Sequence, residues 1–140
     1  MKNLKLDTGV VAYKIGQGVL RFNPADPNVY VRFSQALAHL QRLEQDMANE
    51  LSAAGADVLD IMARTDKVIK QDLNLVFGPG NDFDAILGGV NLLAAASDGE
   101  SVVRHLFAAL EPVLIEGAKR CAGQQAEAAK AKAQARRESR

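Results

Sequence analysis

A seven-residue stretch, Arg21 to Pro27, marks a change from β-favouring to helical sequence and constrains the fold more than any other part of the chain. Asp26 can accept hydrogen bonds from the free N–H groups of a first helical turn, and Pro27 suits the first helical position because its missing N–H would have no partner there. We therefore predict a mainly α fold with a small N-terminal β-hairpin. The helices are expected to form an antiparallel bundle, followed by a mobile basic C-terminal helix or tail.

Two β-favouring runs precede this stretch, at residues 10–15 and 19–22, with the turn-forming triplet 16–18 between them. Leu4 and Leu6 alternate with polar residues, and this pattern also allows a third short strand. A sheet of this size is not stable alone. We therefore expect the hairpin either to pack on its own helices or to add to the sheet edge of a neighbouring chain.

The length of 140 residues suits one domain. We predict a single α-rich domain over residues 1–121, with the hairpin at 1–23 and main helices at 27–54, 57–77 and 100–121. A basic tail rich in Ala, Lys and Arg follows at 122–140. Ser97 and Glu100 have the spacing of a reciprocal cap for the last main helix.

Apolar residues at steps of three and four predict the buried face of each main helix. The predicted faces are Tyr30, Phe33, Leu37, Leu40, Leu43, Met47 and Leu51 for the first helix; Val58, Met62, Thr65, Ile69, Leu73 and Val76 for the second; and Val103, Leu106, Phe107, Leu110, Leu114 and Gly117 for the last.

The composition is that of a folding chain, with 48% apolar and 24% charged residues. No apolar run approaches the roughly 20 residues needed to cross a bilayer, so no membrane partner is expected. Cys121 is the single cysteine and cannot form an intramolecular disulfide. The chain also opens without a charged-then-apolar signal segment, and we predict a cytoplasmic protein.

The zero net charge conceals an uneven distribution. Seven basic and two acidic residues follow position 118 and give this end a charge of +5, so residues 1–118 carry −5. Such a chain could associate head to tail with itself or dock an acidic partner. The simpler and commoner interpretation is a solvated tail that keeps the chain in solution.

The sequence offers little recognisable chemistry. His39 and His105 lie on different predicted helices, and neither has ligand spacing to the other or to Cys121. The acidic cluster Asp57, Asp60 and Asp66 is interpreted as a solvated helix face. We therefore predict no catalytic, cofactor-binding or metal-binding residues and no enzymatic activity.

Nucleic-acid binding is the alternative function. The basic tail could contact phosphates, as in a small DNA- or RNA-associated phage or bacterial regulatory protein. The tail has no interleaved aromatic residues, however, and the region at 57–89 is acidic. A nucleic-acid partner is therefore not the first expectation.

Several turns and caps resemble a known family. They are the segments Leu4-Lys5-Leu6-Asp7-Thr8-Gly9, Phe22-Asn23-Pro24-Ala25-Asp26-Pro27, Val76-Phe77-Gly78 and Leu87-Gly88-Gly89-Val90-Asn91, with Phe33 and Leu37 on one helix face. Their order over roughly residues 3–117 resembles the tail assembly chaperones of long-tailed (siphovirus-like) bacteriophages and prophages. The extended Ala-Lys-Arg tail departs from the pattern of that family.

The resemblance implies a non-catalytic protein of the host bacterial cytoplasm that is absent from the mature virion. Its implied partners are itself, as a ring or spiral homo-oligomer, and the tape-measure protein, which it keeps soluble during tail assembly. The candidate self-association residues are Val10, Tyr13, Val19 and Phe22 of the hairpin. The candidate client or partner contacts are Lys130, Lys132, Arg136 and Arg137 of the tail.

Overall fold

The computed structural model describes residues 1–139 and contains two strands and four helices in that range. In chain order they are β1 (Val11–Ile15), β2 (Gly18–Phe22), α1 (Pro27–Leu51), α2 (Val58–Phe77), α3 (Phe83–Ile86) and α4 (Val102–Glu138). The predicted fold class, a mainly α chain with a small N-terminal hairpin, is confirmed. Arg140, which the sequence places in the basic tail, lies outside the described residues.

The hairpin turns through Gly16 and Gln17, and its antiparallel register pairs Ile15 with Gly18. Gly16 has φ +57°, a left-handed conformation that glycine adopts without a Cβ clash. Residues 1–10 form no strand, so the third short strand that the sequence allows does not form.

Helix α1 begins as predicted. The Asp26 side chain accepts a hydrogen bond from Asn28 N at 2.9 Å, and Pro27 occupies the first turn. The helix ends at Leu51, three residues before the predicted end. Its fully buried residues are Val29, Phe33, Ala36 and Leu40, while Tyr30, predicted to be buried, is exposed.

Helix α2 runs antiparallel to α1, and polar contacts along the pair follow that direction. They are Arg64 with Glu50, His39 with Asp72, and Arg32 Nε with the carbonyl of Val76. The predicted burial of Val58 is wrong, because in the first turn of α2 it is Ile61 that is buried, while Val58 is exposed.

Helix α4 departs most from the predicted boundaries. It starts at Val102, after Ser101, and the segment from Ser97 to Glu100 forms a turn closed by the hydrogen bond from Ala96 N to Glu100 O at 2.7 Å. The predicted reciprocal cap is therefore wrong. At its other end α4 continues without a break to Glu138, so the predicted tail is helical over residues 122–138.

The core lies between the inner face of the hairpin, one face of each helix and the α3 segment. Phe83, Leu20, Ile69, Leu73, Leu92, Leu114 and Val103 are its largest fully buried side chains. All six residues predicted for the last main helix are buried. Both ends of the described chain leave this core, since residues 1–10 and nearly all side chains at 122–139 are exposed.

Lys70 is a buried cation that ties α2 to α3 and to the segment after it. Its side chain is 6% exposed, and its Nζ lies 3.0 Å from Asp66 Oδ2 and 2.6 Å from Asp84 Oδ1. Asp66 also accepts a hydrogen bond from Leu92 N at 2.7 Å. Burial alone lowers the pKa of Lys70, but the hydrogen bonds and charges of Asp84 and Asp66 outweigh it and raise the pKa. The stabilisation is therefore present at neutral pH and is lost only as pH rises through the raised pKa.

We expect Lys70→Met to lower the free energy of unfolding by about 2–4 kcal/mol, because it leaves the largely buried carboxylate of Asp66 without its cation. Urea denaturation followed by circular dichroism measures the change. Lys67→Met is the matched control, since Lys67 is exposed on the same helix, and it should cost less than about 0.5 kcal/mol. Equal effects of the two substitutions would contradict this role of Lys70.

Candidate interaction surfaces

The inner face of the hairpin packs on the helices of its own chain. Leu20 is fully buried and Phe22 is 3% exposed. The Phe22 ring stacks on Tyr13 with centroids 5.0 Å apart and meets Phe77 at 4.7 Å with the rings tilted by 63°. Phe22 is therefore a core residue of its own chain, and its part in self-association stays a prediction. The alternation along the strand predicts a buried face without telling which chain buries it.

The other three hairpin candidates remain accessible. Val10 and Val19 are exposed, and Tyr13 is half-buried at the margin of the core. Val11, at the start of β1, is also exposed. Their participation in self-association stays a prediction.

The outer edge of β2 is closed by side chains and backbone of the same chain. Asn81 Oδ1 accepts a hydrogen bond from Arg21 N at 3.0 Å, and Asn81 Nδ2 donates to Arg21 O at 2.8 Å. Gly18 lies so close to the carbonyl of Ile86 that a Cβ would overlap it. No further strand can therefore add beside β2.

The outer edge of β1 is open. Because the peptide groups of Arg21 point away from β1, the pair Ala12–Arg21 is one that does not exchange ladder hydrogen bonds. The alternation then directs the N–H and C=O groups of Ala12 and Lys14 outward. Within residues 1–139 these groups have no hydrogen-bond partner. The edge of β1 can accept an added strand.

An apolar groove of about 390 Å³ lies beside this open edge. Tyr13 and Ile15 of β1 form one wall, and the first half of α4 forms the other. Its lining is completed by Lys14, Phe22, Leu87, Val102, His105, Leu106, Ala109, Leu110 and Val113. Sequence reasoning missed this groove, because it depends on how far apart the hairpin and α4 lie, and no short-range pattern sets that distance.

The four predicted client contacts are exposed on the last turns of α4. With about 100° per residue, Lys132 and Arg136 fall in one row and Lys130 and Arg137 in another. A row of alanines, Ala122, Ala126, Ala129 and Ala133, lies between the two basic rows. Lys130 also contacts Glu127, with Nζ 3.6 Å from Oε1, and both side chains are well exposed. The surface is thus a small apolar stripe bordered by cations.

Each of the two histidines that the sequence singled out contacts a carboxylate. His39 contacts Asp72, and His105 Nε2 lies 2.9 Å from Asp98 Oδ2. The hydrogen bond from His105 and one from the backbone of Glu100 lower the pKa of Asp98. Among residues 1–139, no group of three or more His, Cys, Asp or Glu side chains is placed to hold a metal ion.

The three residues of the predicted acidic cluster lie in two different environments. Asp57 caps α2 by accepting a hydrogen bond from Asp60 N at 3.1 Å, and Asp60 pairs with Arg64 at 2.9 Å; both carboxylates are exposed. Asp66 instead points to Lys70, inside the fold. The interpretation of all three as a solvated face is therefore wrong for Asp66, because the segment around Leu92 covers it.

No helix within residues 1–139 combines the length and the apolar character needed to cross a membrane. Comparison of the chain with protein-family models, with curated proteins and with solved structures finds no match.

Proposed function

We propose that this chain is a tail assembly chaperone of a long-tailed bacteriophage or prophage. In this proposal it self-associates into a ring or spiral in the host cytoplasm and keeps the tape-measure protein soluble until the tail tube replaces it. The observation that carries the proposal is the apolar groove beside the open edge of β1, on a chain that also carries an exposed basic helix. The resemblance of its turns and caps to that family supplies the identity of the client.

Two separate surfaces suit the two tasks of such a protein. A chaperone for a long helical client needs many weak sites in a row, which an open-ended self-association provides. The hairpin edge and groove are suited to contacts between copies. The distal part of α4 extends past Gly117, its last buried residue, by about 30 Å at 1.5 Å per residue. This length and its alanine stripe bordered by cations suit an acidic amphipathic client helix.

Co-expression with the tape-measure protein of the same phage or prophage tests the proposal. We expect the tape-measure protein to be recovered in the soluble fraction and to co-purify with the chain. Recovery of the tape-measure protein only as aggregate, both with and without the chain, would contradict the proposal.

A charge-reversal variant tests the contribution of α4. Replacing Lys130, Lys132, Arg136 and Arg137 by Glu should lower the co-purified client by about tenfold, because the cations border the proposed contact stripe. The matched control exchanges each Lys for Arg and each Arg for Lys, which keeps the charge and should retain the client. Unchanged recovery with the Glu variant would show that the client binds elsewhere.

A DNA- or RNA-associated regulator is the second candidate, because the exposed basic helix can contact phosphates. A regulator of this kind should bind a labelled duplex at low salt and lose most of that binding at physiological salt. Such binding without a soluble complex with the tape-measure protein would favour this function over the chaperone.

A further inference from the structure

The N-terminal arm, residues 1–8, is an apolar segment without a place in its own fold. Leu4 is 94% exposed and Leu6 is 82% exposed. Both leucines alternate with the polar residues Asn3, Lys5 and Asp7, which is the pattern of a strand with one buried face. The arm therefore has a strand-like sequence and an apolar face that its own chain leaves in solvent.

The arm is held away from the edge of its own β1. Asn23, just after β2, donates a hydrogen bond from Nδ2 to the carbonyl of Thr8 at 2.9 Å. Gly9 follows with φ +73°, and its N–H donates to Asp7 Oδ1 at 2.8 Å. These contacts fix the end of the arm beside the end of β2. The arm then leaves the body without covering the edge or the groove.

The free edge of β1 and the groove beside it suit this arm. The groove is apolar, as are Leu4 and Leu6, and the two-residue repeat of a strand matches the spacing of these leucines. A strand added to the outward peptide groups of Ala12 and Lys14 would lie about 4.8 Å from β1. It would cover the space between β1 and α4 that forms the apolar groove. Every second side chain of the added strand would point into the groove, and Leu4 and Leu6 have that spacing.

We propose that the arm of a second copy of this chain adds to the free edge of β1 and places Leu4 and Leu6 in the apolar groove between β1 and α4. This contact rests on the proposed self-association, and it specifies which segments of the two copies meet. The arm and the groove are different surfaces, so the contact is head to tail and leaves one arm and one groove free at the ends. Repeating it gives a ring or an open spiral.

Two variants, one in each surface, test the contact. Leu4→Asp combined with Leu6→Asp alters the arm, and Ala109→Glu places a charge in the groove. All three positions are exposed, so circular dichroism and the melting temperature should stay at the wild-type values. We expect each variant alone to be a monomer by light scattering coupled to gel filtration, at concentrations where the wild type assembles.

A mixture of the two variants gives the most specific result. The arm variant keeps an intact groove and the groove variant keeps an intact arm, so a 1:1 mixture should form a heterodimer with twice the 15.0 kDa chain mass. The matched control combines Asn3→Asp with Lys5→Asp. This control changes the charge of the arm at least as much as the Leu4→Asp, Leu6→Asp variant does, but on the opposite face of the arm. It should assemble like the wild type.

The outcomes separate this contact from the proposed function. An assembling wild type whose Leu4→Asp, Leu6→Asp variant assembles equally well overturns the arm contact alone. Variants that are monomeric both alone and when mixed also overturn it. If Ala109→Glu abolishes co-purification of the tape-measure protein while the arm variant assembles normally, the groove belongs to the client and the arm contact is wrong. A wild type that stays monomeric overturns the arm contact and the proposed self-association together.

Discussion

Gly117→Ala is expected to destabilise the protein by about 2–3 kcal/mol, although the same substitution normally stabilises a helix by about 1 kcal/mol. Gly117 is buried where α4 crosses the loop before α1. A Cβ built there would overlap the carbonyl of Pro24, which is backbone and cannot rotate away as a side chain would. The added methyl group must separate α4 from this loop and loosen the start of α1. Thermal and urea denaturation measure the loss.

Gly123→Ala, in the same helix, is the matched control. Nothing lies within 4 Å of a Cβ at Gly123. This substitution should leave the free energy of unfolding unchanged or raise it by up to about 1 kcal/mol, with a slightly stronger helical signal. A Gly117→Ala variant as stable as Gly123→Ala would contradict the close approach of α4 to the loop.

Asn81→Asp is expected to cost about 2–4 kcal/mol at neutral pH, although the two side chains have nearly the same shape. Asn81 Nδ2 donates to the carbonyls of Arg21, at 2.8 Å, and Phe77, at 3.1 Å. A carboxylate has no N–H to donate and would place a buried negative charge against two carbonyl oxygens. The edge of β2 would keep an acceptor for Arg21 N but would lose the donor to the carbonyl of Arg21. Urea denaturation at pH 7 measures the change.

The pH dependence of this variant gives a second test. Burial and the two carbonyls should raise the pKa of the introduced carboxyl above the ordinary value of about 3.9. A group with a raised folded-state pKa binds more protons when folded, so the stability lost at pH 7 should be partly recovered as pH falls towards 5. The wild type, measured in parallel, corrects for its own carboxylates. A loss that is constant between pH 7 and 5 would contradict the proposed surroundings of Asn81.

Elements set by local chemistry could be predicted from the sequence. The cap and first turn at Asp26 and Pro27 are of this kind, as is the buried face of α4 from Val103 to Gly117. In each case the deciding interactions lie within a few residues, through a cap hydrogen bond or through the period of a helix face.

Features that depend on distant segments could not be predicted. Tyr30 and Val29 are neighbours on α1, and only the direction from which α2 and α4 approach decides that Val29 is buried. Asn81 bonds to Arg21, which is 60 residues away in the chain, and no local pattern indicates that contact. Phe22 likewise fits a packed face equally well on its own helices or on those of a neighbour. Of the candidate interaction surfaces, the sequence thus indicates the basic residues of the tail, while the exposed arm and the groove follow only from the packed fold.

Self-association is the central claim, and the molar mass in solution tests it most directly. Light scattering coupled to gel filtration, over a series of protein concentrations at low and at high salt, gives that mass without a label or a partner. We expect a mass above that of the 15.0 kDa chain that rises with concentration towards a ring-sized species. A mass of 15.0 kDa at every concentration and at both salt levels would contradict the account.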